Sequence, residues 1–431
     1  MTSIQMSELL KPWTPSLIPT LTATTSINTD HYSDLVKTLT SATERVATET
    51  VKGNLFDLSQ IIRGAEASLT VLSAERVMAT ATASSELSLA SQAIFNATVN
   101  LKSLDWEMNL YSMNINRAGN LILFIAFALL FLAHIGFSGW SRNIYMGVCL
   151  GCGCGLELAG YIARALAYND TANVDKYLCQ IICLTLAPVF IAAGIYFYLG
   201  QIIVFHGRQY SILKPTWYTY IFVFCDIVSL VIQAVGGGMA ATALKEHNSL
   251  DPGSHTMLGG VVFQVFTMSV FLILLFDFIN RTFFKANPEI KFSVKKFFQI
   301  LLNTPEGIRL REKLDPYYNP IFSKARSGVL YKWIPFALLV STIFVYIRCI
   351  YRVVELAEGW TGNLITHEVY LAILDALMIF LACFVLAVLH PMFTIGKLKL
   401  SFREIKRHAA TKPIEEQSQE SQPFDSYSKE I

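Results

Sequence analysis

Ala118-Gly-Asn-Leu-Ile-Leu-Phe-Ile-Ala-Phe-Ala-Leu-Leu-Phe-Leu-Ala-His-Ile-Gly-Phe-Ser138 contains no Asp, Glu, Lys or Arg. A helix rises about 1.5 Å per residue, so this run covers roughly the 30 Å of a bilayer's hydrocarbon core. Backbone N–H and C=O groups find no water there, which leaves a helix as the structure such a run adopts. Working outward from 118–138, six more apolar runs follow, near 144–167, 178–205, 217–243, 257–280, 333–353 and 368–390. The whole chain agrees: 53% of its 431 residues are hydrophobic and 15% charged, against about 25% charged in soluble domains. The expected fold is an all-α integral membrane protein with seven transmembrane helices across residues 117–395.

Orientation follows from Lys and Arg in the connections. With the N-terminus outside, the segments 139–143, 206–216, 281–332 and the tail from 391 are cytosolic and hold 21 of them, whereas the outside loops 168–177, 244–256 and 354–367 hold 2. The expectation is an outside N-terminus and a cytosolic C-terminus. The loop 281–332 carries 11 basic and 4 acidic residues, which suits contact with anionic inner-leaflet lipid or with a protein. Its prolines, Pro288, Pro305, Pro316 and Pro320, argue against one continuous helix.

The flanks read differently. Residues 1–116 are rich in Ser, Thr and Ala and are expected to form a largely flexible extracytoplasmic tail. Ala65–Leu101 has some helical character, weakened by its Ser and Thr residues. Asn96-Ala97-Thr98 is a glycosylation sequon, and Asn169-Asp170-Thr171 a second one. Residues 396–431 are expected to be a disordered cytosolic tail.

Several function classes lack support. There is no GxxxxGK[ST] phosphate loop, no lysine in the seventh run for a retinal Schiff base, and no His/Cys/Asp cluster with metal-ligand spacing. No cofactor, metal, nucleic-acid partner or enzyme activity is expected. All eight cysteines fall inside apolar runs. Cys149-Leu-Gly-Cys152-Gly-Cys154 lies on a helix where Gly147, Gly151 and Gly155 recur every fourth residue, the spacing of a close helix–helix contact.

The informative residues are polar groups in register inside the runs, because an ionisable group at the bilayer centre costs roughly 2.5–3.5 kcal/mol on insertion scales. The second run carries Glu157, Tyr161 and Arg164 on one helical face. The fourth carries Asp226, Ser229 and Gln233, followed by Gly236-Gly237-Gly238. The sixth carries Arg348, Arg352 and Glu355, and the seventh Glu368 and Asp375. Gln264 and Asp277 lie in the fifth. Pro188 in the third run is a candidate kink, and His390-Pro391 a helix end. Faces of this kind turn toward a shared polar interior. Acids outnumber bases there, which suits a cationic group.

These stripes also resemble the fungal lipid-translocating exporter family, seven-helix proteins linked to resistance to toxic sterols and lipids. The matching elements are Glu157-x-x-Gly160-Tyr161-x-x-Arg164, Leu184-Thr-Leu-Ala-Pro188-Val-Phe through Tyr196, and Asp226-Ile-Val-Ser229-Leu-Val-Ile-Gln233-Ala-Val-Gly236-Gly237-Gly238. Arg348-x-x-x-Arg352-x-x-Glu355-x-x-x-Gly359, Glu368-x-x-x-x-x-x-Asp375 and His390-Pro391 complete them. The run from Ile365-Thr-His-Glu368 to Asp375-Ala-Leu-Met is especially close to the member that exports sphingoid long-chain bases. Gln201 departs from the family, which often has a basic residue there, and the N-terminal region is longer than usual. The resemblance implies movement of a sphingoid base, such as phytosphingosine or dihydrosphingosine, from the cytosolic to the outer leaflet of the plasma membrane. Glu157, Asp226, Glu355, Glu368 and Asp375 would then include the headgroup site, with Arg164, Arg348 and Arg352 holding the carboxylates. Competing readings are a seven-helix lipid sensor or receptor, a regulator of other transporters, and a carrier of another amphipath such as a sterol or porphyrin.

Overall fold

The computed structural model describes residues 30–141, 143–246, 249–287, 290, 292–359, 362–395 and 405. The expected disordered tail 396–431, Ile405 apart, lies outside the described residues, as do Pro288 and residues 1–29.

Seven helices are long and apolar enough to cross a membrane. They run Arg117–Ser141, Ile144–Leu166, Val174–His206, Pro215–Lys245, Asp251–Asn280 and Ile334–Glu358, with the seventh span at Glu368–Thr394. Several extend past the apolar runs. The fifth starts at Asp251 with Pro252 in its first turn, and the sixth continues to Glu358. Hydropathy marks only the part of a helix that sits in hydrocarbon, whereas backbone hydrogen bonding carries on into the interface. His390 follows the last α-helical turn, and its Nδ1 accepts from the Met392 N–H at 3.2 Å, capping the short helix Pro391–Thr394.

Glycine sets how the first three spans pack. A Cβ on Gly147 or Gly151 would lie 2.7 Å from Ser138 Cβ and 2.5 Å from Ile135 Cδ1 respectively. The second span therefore lies against the first through the glycine ladder, as its four-residue period suggests. Gly153 and Gly160, on another face, meet Ile191 and Leu184 of the third span. Cys152 is exposed while Cys149 and Cys154 are buried, and no group of His, Cys, Asp or Glu suited to a metal occurs among the described residues.

The N-terminal region, expected to have helical character at Ala65–Leu101, is helical over much of its described part. It holds three helices, α1 (Tyr32–Val46), α2 (Lys52–Thr80) and α3 (Ser84–Glu107). The hydroxyls that lower its helix propensity are accommodated within the helices. Thr38, Thr43, Ser68, Thr70 and Thr98 each donate to the carbonyl four residues back, at 2.7–2.8 Å. Satisfied within the helix, they no longer pull the backbone into turns. Small buried residues, Ala65, Ala74, Ala90 and Ala97 among them, line the helices' buried faces. Arg63 ties α2 to α3 through Glu107 at 3.0 Å and Asn100 at 3.0 Å. That guanidinium holds the Glu107 carboxyl below its usual range. Asn96 is exposed on α3, and Asn169 is exposed beyond the second span.

The basic loop 281–332 is built from short helices, Val294–Leu301, Pro305–Leu314 and Ser323–Arg326, with Pro305, Pro316 and Pro320 in first turns. Two of its cations turn inward. Arg326 donates to Phe205 O at 2.7 Å and pairs with Asp315 at 2.7 Å. Arg311 donates to Ile300 O at 2.9 Å. Arg326 thereby caps a carbonyl left open at the C-terminal end of the third span.

Candidate functional site

The polar stripes of the second, fourth and sixth spans are buried as a set. Glu157, Arg164, Asp226, Arg348 and Glu355 are each at most 4% exposed, and Tyr161 is fully buried. They assemble into three clusters rather than one.

The first cluster, at the end of the bundle where the chain enters the first span, centres on Arg164. Its Nε pairs with Glu368 at 3.1 Å, and its other nitrogens donate to Gln180 at 3.3 Å and to Met113 Sδ at 3.2 Å. The Tyr111 ring lies 5.4 Å from the guanidinium. Glu368 accepts from Asn120 Nδ2 at 2.7 Å and from the Asn116 N–H at 2.6 Å. Tyr111, Met113 and Ile115 pack with Ala167 and Tyr177, so the segment leading into the first span lies across this end of the bundle. Sequence reading missed Asn120, Gln180, Met113 and Tyr111. A lone Asn or Gln at the edge of an apolar run was the available signal for the first two.

The central cluster joins the sixth and seventh spans. Arg348 Nε lies 2.5 Å from Asp375 Oδ1, and Arg352 reaches Asp375 Oδ2. Arg352 also pairs with Glu355 at 2.9 Å, and Tyr351 donates to the same carboxylate at 3.0 Å. Arg348 Nη2 donates to Leu184 O at 2.5 Å. Pro188 explains that contact. It sits inside the third span without an N–H, so the carbonyl four residues back, that of Leu184, lacks its helical donor and accepts from Arg348 instead.

Glu368 and Asp375 do not act as one stripe. Residues Leu371–Leu377 form a π-helical segment between them and around Asp375. The wider turn aims Asp375 at the sixth span while Glu368 faces Arg164. Nothing in the seventh span's composition announces that turn.

Glu157 stands next to the central cluster, 2% exposed. It feels the charges of Asp375, Arg348 and Arg352, yet it makes no hydrogen bond or ion pair among the described residues. Tyr161, one turn on, has a hydroxyl with no partner among the described residues. Its ring stacks on Phe127 at 5.7 Å and 7°.

The third cluster lies among the third, fourth and fifth spans. Asp226 accepts from Tyr196 Oη at 3.1 Å. Ser229 donates to Gly260 O at 2.7 Å, and Gln233 donates to Ser229 at 2.8 Å and to Gln264 at 3.3 Å. Cys349, fully buried on the sixth span, lies within electrostatic reach of both Asp226 and Asp375. Asp277 belongs to none of the clusters and pairs with Arg281 at 2.7 Å. Glu358 is exposed and caps the Leu364 N–H at 3.0 Å. The clusters therefore hold five acids, Glu157, Asp226, Glu355, Glu368 and Asp375, against three arginines, all paired. Among the described residues, Glu157 and Asp226 are the cluster acids left without an ion pair.

The fold and these clusters define a polytopic membrane protein, apolar toward lipid and charged within. The chain belongs to the RTA1-like family: the family described as RTA1 like protein matches residues 150–398, which contain all ten candidate residues of the spans. It is similar to the sphingoid long-chain base transporter RSB1 of Saccharomyces cerevisiae (strain YJM789), 34% identical over 296 residues, 67% of this chain and 75% of that protein. It is also similar to Protein RTM1 of Saccharomyces cerevisiae, 31% identical over 237 residues, 55% of this chain and 64% of that protein. Protein RTA1 of Saccharomyces cerevisiae (strain ATCC 204508 / S288c) is 28% identical over 247 residues, 57% of this chain and 66% of that protein. No solved structure matches the chain.

Proposed function

We propose that the chain is a lipid transporter that moves a sphingoid long-chain base from the cytosolic to the outer leaflet of the plasma membrane, with Glu157 receiving the ammonium group. The observation that carries this reading is the isolation of Glu157, a carboxylate 2% exposed beside arginines already committed to other acids. A buried carboxylate without a counter-cation is costly, and an ammonium headgroup offsets that cost. Similarity to a sphingoid long-chain base transporter supports the same cargo. Asp226, also without a cation, offers a second station between the third and fifth spans. Arg164, Arg348 and Arg352 act as positioning residues that fix Glu368, Asp375 and Glu355. The Lys and Arg asymmetry supports an outside N-terminus, in which case Asn96 and Asn169 face the glycosylating compartment. Val294, Phe298 and Leu302 form an exposed apolar stripe beside Lys295, suited to rest on an anionic inner leaflet.

The test is purified full-length protein in liposomes, with labelled dihydrosphingosine and empty liposomes as control. Glu157→Gln and Asp226→Asn are expected to abolish movement while remaining folded. Wild-type movement in both variants would overturn the site assignment. No movement by the wild type, with a proton gradient and ATP supplied, would overturn direct transport.

A further inference from the structure

Two neighbouring polar groups in the spans lack partners among the described residues, and they lie one turn apart on the same face of the second span. Glu157 has no ion pair, and Tyr161 Oη has no hydrogen bond although the residue is fully buried. Both sense Asp375 and Arg352, so they border the same central cluster. The Tyr161 ring cannot readily swing to seek a partner. It is stacked on Phe127, which is itself packed edge-on against Phe380 at 6.1 Å. A buried hydroxyl left unpaired is destabilising, so protein interiors seldom keep one without a use.

We propose that Tyr161 hydrogen-bonds a hydroxyl carried next to the ammonium of the cargo, making the site selective for a long-chain amino alcohol over a plain alkylamine. The proposal rests on the reading of Glu157 as the ammonium acceptor and adds the chemical feature that the site distinguishes. The two groups divide the headgroup between them: the carboxylate accepts from the ammonium, and the phenol exchanges a hydrogen bond with the neighbouring hydroxyl. A plain amine satisfies the first and leaves the second unpaired. A site built to pair a hydroxyl discriminates against the analogue that lacks it.

The experiment compares dihydrosphingosine with octadecylamine, moved by the reconstituted full chain as wild type and as Tyr161→Phe. The wild type is expected to prefer the amino alcohol, and the variant to lose that preference by about tenfold, one hydrogen bond's worth. The variant's melting temperature without lipid should not fall, because the substitution removes a hydroxyl that pairs with nothing. Equal preference in wild type and variant, with both amines moved, overturns the role of Tyr161 and leaves Glu157 standing. A lowered melting temperature shows a structural partner for the hydroxyl and overturns it as well. Failure of the wild type to move either amine overturns both readings.

Discussion

The second, sixth and seventh spans bury their polar groups differently from the fourth and fifth. In the first group long charged side chains reach across the gap. Arg348 and Arg352 grip Asp375, Arg352 also holds Glu355, and Glu157 stands beside them. Between the fourth and fifth spans the bonds are neutral and short-range, from Ser229 to the Gly260 carbonyl and through Gln233 to Gln264. Glycine brings those backbones together. A Cβ on Gly236 would lie 2.5 Å from Met257 N, and one on Gly253 would lie 2.5 Å from Ala240 N. Arginine–carboxylate pairs join helices through long side chains, whereas glycine lets their backbones approach closely. The first arrangement rests on long charged side chains that reach from helix to helix. The second is a fixed seam.

Three experiments bear on that contrast. The largest effect is expected from Asp375→Asn, which leaves the buried Arg348 without an acid and Arg352 with Glu355 alone. Breaking a buried pair from one side costs about 3–5 kcal/mol, to be read as lost stability in detergent by thermal or denaturant unfolding. Asp226→Asn keeps a group able to accept from Tyr196 and strands no cation, so its loss should stay within about 1 kcal/mol. Equal losses would erase the distinction between the two regions. Next is the seam: Gly253→Val should cost about 1–3 kcal/mol by overpacking. An added Cβ on Gly238 would meet nothing within 4 Å, so that position should accept Ala with no loss. If Gly238→Ala proved the more damaging, the seam would run elsewhere. The smallest net effect is expected from Pro188→Ala. The new N–H gives Leu184 O a helical donor, but that oxygen already accepts from Arg348, so the net gain should stay within about 1 kcal/mol. A gain near 3 kcal/mol, roughly the full cost of an interior helix proline, would show that Arg348 does not compensate for the missing bond.

The stripes Glu157–Tyr161–Arg164, Asp226–Ser229–Gln233 and Arg348–Arg352–Glu355 were legible because each lies on an uninterrupted α-helix, where a spacing of three, four or seven residues fixes a common face. Glu368 and Asp375 show the limit of that logic. Their spacing of seven reads as one face only if every turn between them is α-helical, and the π-helical segment Leu371–Leu377 removes that condition. The run Gly236-Gly237-Gly238 shows another limit. Composition treats the three alike, but only Gly236 meets a neighbouring backbone at close range. Surplus acid in the bundle was also visible as a count. Which acids go unpaired was not, because Glu157 and Asp375 look equivalent until Arg348 and Arg352 are seen to choose Asp375.

The sequence by itself determined seven helices in a membrane and the polar faces of three of them. Both depend on local facts: the length of an apolar run, the need of each backbone group for a bond, and the pitch of a helix. Only the tertiary structure decided the rest. It paired Arg164 with Glu368, sent the proline-freed Leu184 carbonyl to Arg348, laid Tyr111 and Met113 across one end of the bundle, and left Glu157 and Tyr161 without partners among the described residues. These are contacts between residues as much as 204 positions apart, and an ion pair is set by which side chains meet in space, a quantity that no single helix encodes.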